Sequence, residues 1–436
     1  MVIEMPEAPE PRLARQIIEV LGQSGTPLGR GVSYYNVGNE SILDALDKHY
    51  LSSYLADGGA VFKLVVGDYG SGKSHFLYCL RDLAWARNFV VSKVDLSPKE
   101  CPYDDQKRVY GAVASAMIRH NSEGDDDDER GITRFIEGTL RRIVSPHGMN
   151  LYDEAVLSLP DIQALRQTLL TTPSDSLSYH KAIIGYVDAL LGNGEVKLDA
   201  LQRWLHGEES SPDDMKELRQ IGVTEKITKN NAFKMLRSLC QMVRVFGCNG
   251  LALLFDEGDR MLSLSGKAEK AATDNLREVI DRCRDDLPGT LFVYAVPPDF
   301  IHNVIPKYPA LQQRVQAPGY FSRSNPFSPQ INLDHLDMAD TDLLNQIGQK
   351  LLPIFEVAFG TSMNHEIQTQ NIMVLAEASM KSFLAISHRR LFVKALVGEW
   401  FRQKEEGEQR LNSSDAQKII QGEGDALTEY PDADNA

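Results

Sequence analysis

The sequence predicts an α/β fold. It reads as a phosphate-loop NTPase core on a parallel sheet, of the additional-strand (ASCE) type, with a large helical insertion and a C-terminal helical lid. Three observations predict it. The first is Leu64 to Leu80, LVVGDYGSGKSHFLYCL, an apolar run that breaks into glycines and resumes with helical spacing. The second is Gly250 to Met261, GLALLFDEGDRM, a continuous apolar run ending in two acids about 180 residues downstream. The third is the mostly helical stretch between them, which makes sense only if both ends return to one sheet.

In the first stretch Gly67, Gly72, Lys73 and Ser74 fill the fixed places of G-x-x-x-x-G-K-[ST]. Glycines there let the backbone curl with its N–H groups turned toward a polyphosphate. Lys73 reaches the β/γ-phosphates, Ser74 offers a hydroxyl to Mg²⁺, and the helix starting near Lys73 adds the positive end of its dipole. The expected binding set therefore runs through Gly67, Asp68, Tyr69, Gly70, Ser71, Gly72, Lys73, Ser74 and His75. A plain glycine-rich turn would lack the required context. Here Phe62 to Val66 reads as a buried strand, and Phe76, Leu77, Leu80 and Leu83 give the following helix its apolar face.

In the second stretch Leu251 to Phe255 reads as a central parallel strand, which puts Asp256 and Glu257 at its carboxyl end, where α/β sheets place ligands. Asp256 is the expected Mg²⁺ holder and Glu257 the base that orients or deprotonates an attacking water. An acidic pair at a helix start is the plain alternative, set aside because of the phosphate loop upstream.

The chain of 436 residues has room for two or three domains, and its 25% charged and 42% hydrophobic content are ordinary for a soluble protein. A net charge of −15 argues against a chain that coats nucleic acid by itself. Five scattered cysteines without a C-x-x-C pair fit a reducing compartment and core positions. The N-terminal segment lacks the pattern of a signal peptide, and no apolar run approaches the ~18 residues of a membrane span. A cytoplasmic location is expected.

In chain order, residues 1–11 are Pro/Glu-rich and expected to be disordered; the core is expected over 12–335, with the insertion at about 105–245. An amphipathic helix is predicted over Pro11–Leu21, and a second strand over Phe89–Val94. Gln106 to His120 reads as helix, and the acidic run Glu123–Glu129 as a solvated loop. A helix over Ala271–Arg284 precedes a strand over Thr290–Val296, which ends in Pro297-Pro298-Asp299 where related ATPases carry a polar γ-phosphate sensor. Arg314 is a candidate finger toward a neighbouring subunit's phosphate, with Arg260 and Arg323 competing. Residues 336–402 read as the lid, with Ser387-His388-Arg389-Arg390 opening its last helix; 403–436 is acidic and expected to be disordered.

Taken together, Ala14-Arg15-Gln16-Ile17-Ile18, Val37-Gly38-Asn39-Glu40, Val66 to Ser74, Val94-Asp95-Leu96-Ser97 and Gly250 to Glu257 resemble the ATP-binding proteins of BREX phage-defence systems, closest to the shorter BrxD type. That type is itself similar to origin-recognition-like AAA+ ATPases. The resemblance implies an AAA+ core, ATP and Mg²⁺ as ligands, and other defence-system proteins as partners. Among partners, a homo-oligomer is one possible assembly, DNA is a possible partner reached through the complex, and no membrane is expected. It also places Val37 and Gly38 near the adenine and selects Arg390, in the pattern Arg390, Phe392, Lys394, as the second sensor. The function expected is a Mg²⁺-dependent ATPase or ATP switch, with a non-hydrolysing ATP-dependent scaffold as the alternative. Pro297 is the departure that favours the alternative.

Overall fold

The computed structural model describes residues 8–120, 130–192, 197–283, 287–382 and 388–429. Among them β1 (Ala60–Val66), β2 (Phe89–Asp95), β3 (Met117–Ile118), β4 (Gly250–Asp256), β5 (Thr290–Val296) and β6 (Gln330–Asn332) form one sheet in the order β3-β2-β4-β5-β1-β6. Strand β4 runs parallel to β2, from Phe89 opposite Gly250 to Asp95 opposite Asp256, and parallel to β5 on its other side. Strand β5 therefore lies between the strand that leads into the phosphate loop and the strand that ends in Asp256, as the additional-strand class requires. All seven residues of β4 and of β5 are buried, which is why these strands are apolar without alternation.

The helices are α1 (Pro11–Ser24), α2 (Glu40–Leu46), α3 (Lys73–Ala86), α4 (Gln106–Ala116), α5 (Ile132–Val144), α6 (Pro160–Thr171), α7 (Leu177–Leu190) and α8 (Leu198–Leu205). They continue with α9 (Pro212–Gln220), α10 (Ala232–Val245), α11 (Gly266–Arg282), α12 (Pro309–Val315), α13 (Asp340–Phe359), α14 (His365–Met380), α15 (His388–Glu406) and α16 (Ser413–Glu429). The chain divides into two compact units, one of residues 45–65 and 81–331, the other of 1–44, 66–80 and 332–436.

The sheet unit carries the insertion. Helices α4 and α10, its first and last, pack on β2 and β4, and Ser92 in β2 donates its hydroxyl to Val113 O at 2.9 Å. The helix expected over 106–120 stops at Ala116; Met117 and Ile118 turn into β3, antiparallel to β2. Two residues are too few for an alternating pattern to announce them. The acidic run Glu123–Glu129 lies outside the described residues. One polar residue sits inside an otherwise apolar strand: Lys63 of β1 donates to Tyr50 Oη at 3.2 Å, Pro326 O at 2.9 Å and Ser328 O at 2.7 Å. The faces of Tyr50 and Phe321 lie 4.6 and 4.5 Å from its ammonium. Burial pushes its pKa down to about 7, and the three acceptors explain how a lysine is tolerated there.

The helical unit buries Ala14, Ile17, Ile18 and Leu21 of α1 among residues of α13 and α15, around Trp400. Trp400 donates its indole N–H to Gln368 Oε1 at 3.2 Å, so the large ring is buried without an orphaned polar atom. Two expectations change here. Helix α1 groups with the lid helices α13 and α15, which cover its apolar stripe, in the unit that also contains the phosphate loop. The tail from Gln403 is not disordered throughout: α15 continues to Glu406 and α16 comes after it, with Leu411, Ala416 and Ile420 in the same core. Three apolar residues in an acidic tail are enough to dock a helix whose other faces are solvated. Residues 1–7 and 430–436 lie outside the described residues. No described helix is long and apolar enough to cross a membrane. All five cysteines are buried, and none forms a disulfide.

Candidate functional site

In the helical unit the loop from Gly67 to Gly72 leads directly into α3. Gly70 and Gly72 have φ of +74° and +92°, a region open to glycine, and a Cβ on Gly67 would lie 2.3 Å from Ser71 Oγ. Lys73 folds back over the loop and donates to Gly67 O and Asp68 O, both at 2.8 Å. Asp334, two residues past β6, accepts the Asp68 N–H at 2.9 and 3.2 Å. Arg389 donates to Ser71 O and, at 3.0 Å, to Leu333 O. Arg390, the expected second sensor, donates to Ser24 O at 2.7 Å and to Tyr69 Oη at 3.1 Å. Ser387 lies outside the described residues.

Arg389 and Asp334 were not singled out from sequence. Adjacent positions on α15 point about 100° apart, so only packing decides which of two consecutive arginines meets the loop backbone. For Asp334 the signal is weak, since Ile331-Asn332-Leu333 is interrupted by a polar residue before the acid, unlike the continuous apolar run of β4.

The segment Asn36 to Asn39 belongs to the same unit. Asn36 Oδ1 accepts from Asn39 Nδ2 at 3.2 Å and meets His75 Nε2 at 3.1 Å, while Lys350 donates to Asn36 O at 2.5 Å. Gly38 has φ +83° with Leu343 and Leu336 against it, so Val37 and Gly38 are held in place. Buried polar atoms of this unit without a hydrogen-bond partner include Ser71 Oγ in the loop, Asn39 Oδ1 beside Gly38, and Tyr35 Oη. An unmet hydroxyl in the phosphate loop and an unmet acceptor beside Gly38 fit a ligand with a polyphosphate and an amino-bearing base.

His75 faces inward to Asn36 and to the Tyr35 ring, with centroids 5.1 Å apart. Burial, with Arg389 and Lys350 nearby, pushes its pKa down to about 4. The unfolded chain, with a histidine near 6.5, binds the proton more readily between these values, so stability falls as pH drops from 6.5 toward 4. The expected loss is up to about 3 kcal/mol. Urea unfolding of wild type at pH 7 and pH 4.5 should show it, and His75→Asn should flatten the difference.

In the sheet unit Asp256 ends β4 and is buried, with its Oδ1 accepting the Glu257 N–H at 3.0 Å. Lys93 of β2 lies 3.2 Å from Asp256 Oδ2 and 2.5 Å from Asp95 Oδ1. Glu257 sits at φ 55°, ψ 39°, a left-handed conformation uncommon outside glycine. Its neighbour Gly258 fixes this turn, because a Cβ there would lie 2.3 Å from Ala295 O of β5. Burial, then the charge of Asp95, raises the Glu257 carboxyl pKa, and Arg260, at 3.5 Å, opposes the rise.

Arg314, the expected finger, makes a bidentate pair with Asp281 of α11, at 2.5 and 2.9 Å, and also bonds Ala310 O. A role on another subunit's phosphate requires that pair to open. Arg260 holds Glu257, and Arg323 is exposed. Past β5, Pro297 offers no polar side chain; Asp299 is exposed and accepts from Asn303 Nδ2 at 3.1 Å.

A phosphate loop after β1, an acidic pair after β4 and β5 inserted between those strands define a P-loop NTPase of the additional-strand class. Within it, the chain belongs to the family of BREX system ATP-binding proteins BrxC/D, which it matches over residues 10–415. The family resemblance drawn from the motifs is thereby borne out. No curated protein matches the chain. Among solved structures it is similar to the ORC2 protein of Aeropyrum pernix in its ADPNP–ADP complexes, with 12% identity over 88% of this chain and 67% of that one and a TM-score of 0.44.

Proposed function

We propose that this member of an ATP-binding family is a Mg²⁺-dependent ATPase or ATP switch. It acts in the cytoplasm with other proteins of an antiphage defence system, on DNA reached through that complex. The observation that carries the nucleotide part is the phosphate loop itself: positive-φ glycines, a lysine folded over the loop carbonyls, and an arginine from α15 on the Ser71 carbonyl. Gly67 to Ser74 hold the polyphosphate, Val37 and Gly38 the base side, and Arg389 and Arg390 report the state of the loop to α15. Ser74 and Asp256 would hold Mg²⁺, which neutralises charge on the transferred phosphoryl group. Glu257, with its raised pKa, takes the proton of the attacking water. A second copy supplying Arg314 would complete the site.

The alternative, a scaffold that needs ATP only to assemble, draws on Pro297 at the end of β5. Phosphate release from purified protein with ATP and Mg²⁺, with and without duplex DNA, separates the two. Release that stops with EDTA and with Glu257→Gln supports the ATPase. ATP binding with no release under either condition supports the scaffold.

A further inference from the structure

The carboxyl edge of the sheet carries a cation that the proposed reaction does not use. Lys93 and Asp95 stand two residues apart in β2, and the parallel register sets Asp95 against Asp256 of β4. Strand alternation therefore puts all three on one face of the sheet. The Lys93 ammonium bridges the two carboxylates, 3.2 Å from Asp256 Oδ2 and 2.5 Å from Asp95 Oδ1. The two acids differ sharply: the Asp256 side chain is 6% exposed and that of Asp95 59% exposed. A buried carboxylate without a counter-charge is costly, whereas an exposed one is not.

Lys93 thus meets the need of Asp256 for a counter-charge from within the chain. A divalent cation at Asp256 would meet an ammonium already there, and two cations on one carboxylate repel. The exposed Asp95 gives that ammonium somewhere else to go. Glu257 shows a similar arrangement, with Arg260 as its own nearby cation.

We propose that Lys93 is the resident counter-cation of Asp256, pairing with it when no divalent cation is bound and withdrawing to Asp95 when one is. The inference rests on the reading of Asp256 as a Mg²⁺ holder. Its consequence is that Lys93 lowers the metal affinity of the site and keeps the metal-free protein stable.

The test uses the full chain and a non-hydrolysable ATP analogue. Its dissociation constant is measured in Mg²⁺ and in EDTA, and the ratio of the two is the factor by which metal and nucleotide assist each other. In Lys93→Met the ratio should rise about tenfold, the effect of removing a competing charge. In Asp95→Asn, where Lys93 loses its second partner and stays on Asp256, the ratio should fall. In the double variant Lys93→Met/Asp95→Asn the fall should disappear. The unfolding temperature of Lys93→Met should drop in EDTA and recover with Mg²⁺ and the analogue, whereas a mere strut would lower it equally in both.

Asp256→Asn separates the two levels. If it leaves the ratio unchanged, the reading of Asp256 as metal holder fails. If it brings the ratio to near one while Lys93→Met and Asp95→Asn leave it untouched, that reading stands and the role of Lys93 is overturned. Should Lys93→Met not fold in EDTA, Asp95→Asn, which keeps the buried pair, decides the matter alone.

Discussion

Lys73→Ala should abolish measurable ATP binding and leave the protein folded. The Lys73 ammonium donates to the carbonyls of Gly67 and Asp68, so its place over the loop is set by the loop backbone. On the proposed reading a cation there would meet the phosphates with charge-assisted hydrogen bonds, each worth roughly 1.5–3 kcal/mol. Losing two of them weakens binding by about a hundredfold or more. The glycine turns and the Arg389 contact with Ser71 do not depend on this side chain, so the unfolding temperature should stay within about 3 °C of wild type. Titration with a fluorescent ATP analogue, alongside a thermal scan, checks both halves.

Glu257→Gln should keep ATP bound and stop turnover. The amide keeps the size and shape of the carboxylate and tolerates the same left-handed backbone, which Gly258 fixes by packing against Ala295 O. What it loses is the ability to accept a proton, and general-base catalysis contributes roughly 10²–10⁴ in rate. Binding of ATP should remain within about threefold of wild type while phosphate release falls by about a hundredfold or more. Single-turnover measurements with the variant and wild type decide; unchanged turnover removes Glu257 from the role of base.

Both variants test motifs that were legible because they are local. The Gly67 to Ser74 spacing and the apolar run ending at Asp256 are short-range patterns, and the strands at β1, β2, β4 and β5 come from runs long enough to read. What was not legible depends on long-range packing. Strands β3 and β6 are too short to show a period. Helix α1 reads as the start of the core, yet its stripe is covered by α13 and α15. Helix α16 hides in an acidic tail because Leu411, Ala416 and Ile420 are few.

At the site the division is similar. Nothing in the sequence tells Arg389 from Arg390, although one reaches the loop backbone and the other Ser24 and Tyr69. Lys93 reads as an ordinary strand residue until the register brings it to Asp256. Arg314 reads as a free finger until Asp281 is seen to hold it.

The central claim is that the loop from Gly67 to Ser74 is a polyphosphate cradle for ATP. Equilibrium binding of labelled ATP to the wild-type chain, with ADP and AMP as competitors, tests it most directly. The account predicts saturable binding at one site per chain that ADP displaces and AMP does not. Binding that AMP displaces as readily as ADP, or no saturable binding at all, would contradict it.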